Sequence, residues 1–273
     1  YVLADNMAGT PEAAQSMLRD LVPAVVSNVE KEAQEIQAMI EAEGEDFELK
    51  PWDWFYYAEK VREEKYAIDA DEVKQYFEFN RVLEDGVFYA MNQLFGITFE
   101  ERNDIPVYHD EVVVYEVKDV DGSSIGLFYA DYFTRDSKRG GAWMSSFRTQ
   151  SELMNQKPVI LNNMNITKAP EGEPTLISFD EVSTMFHEMG HALHGMFSDV
   201  KYPSQAGTSV PRDYVEFPST FQEDWTLNEK VIAKYAKHYE TGEQIPDELL
   251  QKVLDARNFN QGFDTLEYLS AAL

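Results

Sequence analysis

The chain has 273 residues, 44% of them apolar and 13% aromatic, enough for one large or two small globular cores and too rich in core formers for a disordered chain. Its 50 acidic and 23 basic residues give a formal net charge of −27, a field that repels phosphate backbones and anionic lipid and so excludes nucleic acid and membranes as expected partners. There is no cysteine, which excludes disulfides, thiolate nucleophiles and thiolate metal ligands, and no apolar run long enough to cross a bilayer.

In chain order, Thr10-Pro11-Glu12 predicts a helix start, with threonine as cap and proline at the first helical position. That helix is expected to run to Ala42 with a kink at Pro23. The acidic stretch "EAEGEDFELK" reads as a solvated turn, and "WDWFYYAEKVREEKYAI" resumes a helical pattern in which Trp52, Trp54, Tyr56 and Tyr57 are expected to pack. Further helices are expected near Asp71 and over 82–95. The middle changes character. "EVVVYEV" (111–117) and "SIGLFYADYF" (124–133) flank Asp121-Gly122, a hairpin signal, and 142–150 and 158–166 predict two more strands. After Thr175 the chain returns to helices. The expected fold class is mainly α with a small, mostly antiparallel β-sheet (α+β): helical over 1–104, a small sheet over 105–175 and helices over 176–273. The apolar start "YVLA" and the uncapped apolar end "TLEYLSAAL" lead to the expectation of a fragment from a longer protein.

Within the last helical region, Ser178 and Glu181 have capping-box spacing and set a helix start just before "MFHEMGHALHG". Val182, Met185, Phe186, Met189, Leu193, Met196, Phe197 and Val200 form an apolar stripe along it. His187 and His191 lie four apart, on another face and one turn from each other, the spacing with which two imidazoles grip one zinc ion. Glu188 then projects beside them as the base for a water on the open metal position, which calls for a third protein ligand rather than a fourth. His194, two turns from His187, is too far along to share that ion, and Phe197 stands where a third histidine would continue the motif. A downstream carboxylate is therefore expected. In "SVPRDYVEFPSTFQEDW", Asp213 is a plausible helix cap and Glu216 lies in the turn that follows. Spacing alone does not separate Glu216 from its acidic neighbours. Glu223, seven residues on, can orient a metal-bound histidine from behind.

The segment from "FDEVSTMFHEMGHALHG" through "SVPRDYVEFPSTFQEDW", with "GLFYADYFTRDSKRGGAWM", "KPVILNNMN" and "PWDWFYYAEKVR", resembles the thimet-oligopeptidase family of zinc peptidases. The resemblance implies a zincin-like catalytic core, one zinc ion per chain held by His187, His191 and Glu216, and Glu188 as the catalytic residue. It also implies short unfolded peptides as substrates, cut either by release of dipeptides from free C-termini or internally. Family chains carry substrate-binding and oxyanion-stabilising residues beyond the point matching Leu273, so this chain is expected to bind zinc and hydrolyse peptides poorly by itself. The expected compartment is the cytoplasm, with the periplasm as alternative, and oligomeric state is not assigned.

Three remaining features are read as structural. Arg135, Lys138 and Arg139 of "TRDSKRGGAW" form either a hairpin tip that meets a peptide carboxylate or, the preferred reading, a solvated turn. Asn162, Asn163 and Asn165 read equally as strand-end residues and as groups set against an extended substrate. His109 and His238 lack partners at metal spacing.

Overall fold

A computed structural model describes residues 2–66 and 69–273. The chain divides into two compact units, one combining the N-terminal segment up to Asp69 with Pro246–Leu273, the other comprising Ala70–Ile245.

The first unit is helical. Helix α1 (Pro11–Ala42) begins where the sequence predicts, with the Thr10 hydroxyl accepting from the Ala13 amide at 3.1 Å, and it continues as one helix through Pro23. Helix α2 (Trp54–Tyr66) presents Trp54, Tyr57, Ala58 and Val61, spaced three or four apart, to Ile36 and Ile40 of α1. The last two residues of the predicted second helix, 67 and 68, lie outside the described residues. The packing expected of four aromatics holds for Trp54 and Tyr57. Trp52 precedes the helix and is 80% exposed, and Tyr56 points away from the stripe with the Lys60 amine over its ring. Two more helices, from Pro246–Leu273, complete the unit.

The second unit opens with helices α3 (Ala70–Lys74) and α4 (Phe79–Arg81), a π-helical stretch (Val82–Phe88) and helix α5 (Tyr89–Phe95). A five-stranded sheet follows: β1 (Thr98–Glu101), β2 (Val113–Lys118), β3 (Ser124–Phe133), β4 (Trp143–Arg148) and β5 (Val159–Ile166), in spatial order β1-β2-β3-β5-β4. The β2–β3 hairpin turns at Asp121-Gly122, with Gly122 at φ +81°, the left-handed conformation that glycine adopts without steric cost. Two features depart from expectation. β1 falls within the stretch read as helical, because four residues are too few to show a period. The sheet is mixed, since β5 inserts between β3 and β4 and pairs parallel with β3 (Phe128 opposite Ile160, Ala130 opposite Asn162) and antiparallel with β4.

Helix α6 (Phe179–Met196) covers one face of this sheet, and α7 (Phe217–Glu223) and α8 (Glu229–Tyr235) follow. Gly195 sets the contact: a Cβ there would stand 2.7 Å from the Ile160 Cδ1. The final helices, α9 (Asp247–Arg257) and α10 (Gln261–Ala272), belong to the first unit. Glu32 of α1 accepts from the Gly262 and Phe263 amides at 2.8 Å each, satisfying two of the unpaired donors of the α10 N-terminus. No helix among the described residues is long and apolar enough to cross a membrane.

Candidate metal centre

Helix α6 starts as predicted. The Ser178 hydroxyl accepts from the Glu181 amide at 3.2 Å, and the Glu181 carboxylate accepts from the Ser178 amide at 2.7 Å. Val182, Met185, Phe186, Met189, Leu193 and Met196 are buried along one stripe. The stripe stops there. Phe197 is the C-cap and is exposed, and Val200 lies beyond the helix, because Ser198 turns back to donate to the His194 carbonyl.

Opposite this helix, α7 carries two carboxylates to the histidines. Glu216, not Asp213, occupies the cap position of α7, which places Pro218 at the second helical residue, where its missing amide costs no hydrogen bond. The Glu216 Oε2 lies 3.2 Å from the His187 Nε2 and 3.0 Å from the His191 Nε2. The Ser219 hydroxyl donates to the same carboxylate oxygen at 2.8 Å. At the far end of α7, the Glu223 Oε1 lies 2.7 Å from the His187 Nδ1. With Nδ1 committed to that carboxylate, Nε2 keeps its lone pair for a cation.

A residue that the sequence reading passed over makes this approach possible. Gly190 sits between the two histidines, and a Cβ there would fall 2.6 Å from both the Pro218 carbonyl oxygen and the Ser219 Cα. The signal was available: a glycine within a strongly periodic helix marks close backbone approach.

The electrostatics suit a divalent cation. Burial holds the His191 imidazole below its ordinary value and so neutral near pH 7. Burial pushes the Glu216 carboxyl up, but the Ser219 hydroxyl and the His191 and His187 rings outweigh it and hold the group ionised. Two imidazoles and one carboxylate form a donor set typical of zinc with an open fourth position. Zinc bonds of about 2.0–2.1 Å in tetrahedral geometry separate neighbouring ligand atoms by roughly 3.3 Å, close to the two separations seen here. Among the described residues, His187, His191 and Glu216 form a group able to hold a metal ion, with all three ligand atoms within 4.8 Å of one another.

Glu188 is only 4% exposed, and its Oε2 has no hydrogen-bond partner among the described residues. Burial pushes its carboxyl up to about 7, with His187 opposing and Glu216 adding to the rise. His194 stays outside the ligand group. Burial lowers its pKa, and its Nδ1 has no hydrogen-bond partner among the described residues.

The other sequence candidates lie elsewhere. Arg135 donates through both terminal nitrogens to Asp131, at 2.7 and 2.8 Å. Lys138 is buried against the same carboxylate and the Phe133 and Met164 carbonyls, so neither cation is a free hairpin tip. Arg139 lies over the Trp143 ring, and Asn165 donates to the Arg139 and Gly141 carbonyls at 2.7 Å each. Asn162 and Asn163 are buried in the sheet. His238 closes its own turn by accepting from the Glu240 and Thr241 amides, and His109 accepts from the Glu111 amide.

Comparison with known proteins places the whole chain in one context. The sequence model for peptidase family M3 matches residues 1–273. The dipeptidyl carboxypeptidase of Escherichia coli (strain K12) is 51% identical over 273 residues, covering 100% of this chain and 40% of that protein. Oligopeptidase A of Salmonella typhimurium is 38% identical over 275 residues, covering 99% of this chain and 40% of the relative. Saccharolysin of Saccharomyces cerevisiae is 30% identical over 292 residues, covering 100% of this chain and 41% of the relative. The chain thus spans about 40% of the length of the relatives it matches.

Proposed function

The chain belongs to peptidase family M3, a family of metallopeptidases, and on that footing we propose that it forms the zincin-like catalytic core of a zinc-dependent peptidase. His187, His191 and Glu216 are the proposed ligands of one zinc ion and Glu188 the proposed general base. The observation that carries this reading is the convergence of two imidazoles and one carboxylate beside a buried glutamate whose Oε2 has no hydrogen-bond partner among the described residues.

A bound zinc ion supplies a polarised scissile carbonyl and a water of lowered pKa. The protein's residues supply the rest. Glu188 accepts the proton of the attacking water as its oxygen bonds to the carbonyl carbon. It then hands that proton to the amide nitrogen as the carbon–nitrogen bond breaks, so the products are a carboxylic acid and an amine. A carboxyl raised by burial suits both transfers, since it holds a proton loosely near neutral pH. Glu223 keeps the His187 ring in the orientation and tautomer that a ligand needs.

The proposed substrates are short unfolded peptides shortened by dipeptides from a free C-terminus, the reading favoured by 51% identity to a dipeptidyl carboxypeptidase against 38% to an oligopeptidase A. Internal cleavage is the alternative. The proposed compartment is the cytoplasm, with the periplasm as alternative; a chain without cysteine suits both.

Product mass spectrometry with one octapeptide, carrying either a free or an amidated C-terminus, tests the reading on the zinc-loaded chain. Slow dipeptide loss from the free form alone is the expected result, and no cleavage of either form by a chain that holds zinc would assign the alternative of a zinc-binding chain with little activity. Equal cleavage of both forms would assign internal cleavage, and cleavage that persists in Glu188→Gln would remove the general-base role.

A further inference from the structure

The two ends of helix α6 fix the direction in which it crosses the sheet. At its C-terminal end, Gly195 packs on the Ile160 side chain of β5. At its start, the Phe179 ring lies 5.5 Å from Phe77, and two residues on, the Phe79 ring lies 5.7 Å from that of Tyr132 on β3. The helix therefore runs antiparallel to β3 and β5, from the Tyr132 end towards Ile160. Glu188 precedes Gly195 by seven residues, two helical turns, and so shares its face and looks onto the sheet between those ends.

That stretch of sheet carries two polar side chains. Asn162 lies two positions beyond Ile160 and pairs with Ala130, which lies two before Tyr132, so strand alternation turns both Asn162 and Tyr132 towards the helix. Both are buried, Asn162 completely. The groups also feel one another. Burial raises the Tyr132 phenol, the Asn162 amide opposes that rise, and Tyr115 and the Glu188 carboxylate add to it, so the phenol stays a protonated donor.

Four atoms of this group, the Tyr132 hydroxyl, the Asn162 Nδ2 and Oδ1 and the Glu188 Oε2, have no hydrogen-bond partner among the described residues. All four are closed off from solvent, so bulk water cannot satisfy them. Buried polar atoms in native proteins are almost always paired, and these are complementary, two donors facing two acceptors.

We propose that Tyr132 and Asn162 are positioning residues for Glu188: the Tyr132 hydroxyl donates to the Asn162 Oδ1, and the Asn162 Nδ2 donates to the Glu188 Oε2. These two bonds satisfy all four atoms at once. They hold the inner carboxylate oxygen against the sheet, so that Oε1 keeps one orientation towards the open position beside His187 and His191. A base held in one orientation loses less freedom on reaching the reactive geometry. The service to catalysis rests on the peptidase reading above; the hydrogen bonds do not.

Two measurements test the proposal. The first is a double-mutant cycle on the zinc-loaded chain, read by urea unfolding, with Asn162→Leu and Glu188→Met made singly and together. Glu188→Met removes a paired carboxylate from the unaltered chain but an unpaired one from Asn162→Leu, so its effect on the folding equilibrium should differ by about fivefold between the two. Additive effects would overturn the hydrogen bonds. Tyr132→Phe, which removes a single oxygen, takes the place of Asn162→Leu in a second cycle if that variant does not fold, with a coupling of about twofold expected. The second measurement compares kcat and KM for an octapeptide with a free C-terminus. Tyr132→Phe should lower kcat roughly tenfold, with KM and zinc affinity unchanged. An unchanged kcat, or a fall matched by lost zinc, would overturn the positioning role. Coupling in a zinc-loaded chain that cleaves no peptide would instead overturn the peptidase reading, and the service to catalysis with it.

Discussion

The His187 Nδ1 rests 2.7 Å from the Glu223 Oε1, 36 positions along the chain, while the Nε2 of the same ring faces Glu216. One short helix, α7, with its cap residue thus supplies both the carboxylate of the proposed metal site and the carboxylate behind the His187 ring.

That arrangement predicts the effect of removing the rear partner alone. Glu223→Ala should weaken zinc binding by about 10–100-fold while leaving the fold intact, because the His187 ring loses the acceptor that sets its tautomer. Competition against a chromophoric chelator measures it. Unchanged affinity would mean that the contact is incidental.

Gly190→Ala should act at a distance from every ligand atom. The added methyl collides with backbone on α7, which cannot rotate away, so the two helices must separate. A loss of about 1–3 kcal/mol in stability is expected, with weakened zinc affinity, since Glu216 and Glu223 retreat together. Urea unfolding and zinc titration on the same variant would show the two losses together.

Asp131 predicts acid sensitivity. Its side chain is 1% exposed; burial alone would raise its pKa, but Arg135, Tyr108 and Lys138 hold the carboxyl down to about 2. A folded-state pKa below the unfolded value near 3.9 contributes stability that is fully present above pH 4 and is lost as pH falls towards 2. The contribution is about 2 kcal/mol. Asp131→Asn should therefore lower stability at pH 7 by about 3 kcal/mol, because the buried Lys138 amine and the half-buried Arg135 guanidinium lose their counter-charge, and should flatten the acid limb between pH 4 and 2. Denaturant midpoints across that range provide the check.

Ser178→Ala should cost about 1 kcal/mol by opening the capping box of α6. In a unit of this size that corresponds to a fall of about 2–4 °C in melting temperature. Zinc affinity should hold in the folded protein, since both histidines lie beyond the first two turns. A large loss of zinc binding would show that the helix start governs the site.

What the sequence determined by itself is local. The start of α1 at Thr10, the start of α6 at Ser178, the hairpin at Gly122 and the shared face of His187 and His191 each depend on residues within a few positions of one another. Capping, turn geometry and helical periodicity act at that range, so they can be read before any folding. Tertiary structure decided which acidic residue meets the histidines. Glu216 and Asp213 are equally acidic on paper, and only the close approach of α7 across Gly190 brings Glu216 to both rings. The parallel pairing of β3 with β5 and the neutralisation of Arg135 and Lys138 by Asp131 were likewise fixed by packing. The reason is physical: a side chain's chemistry is set by its residue type, but its partner is set by which backbones approach, and that depends on burial summed over the whole unit.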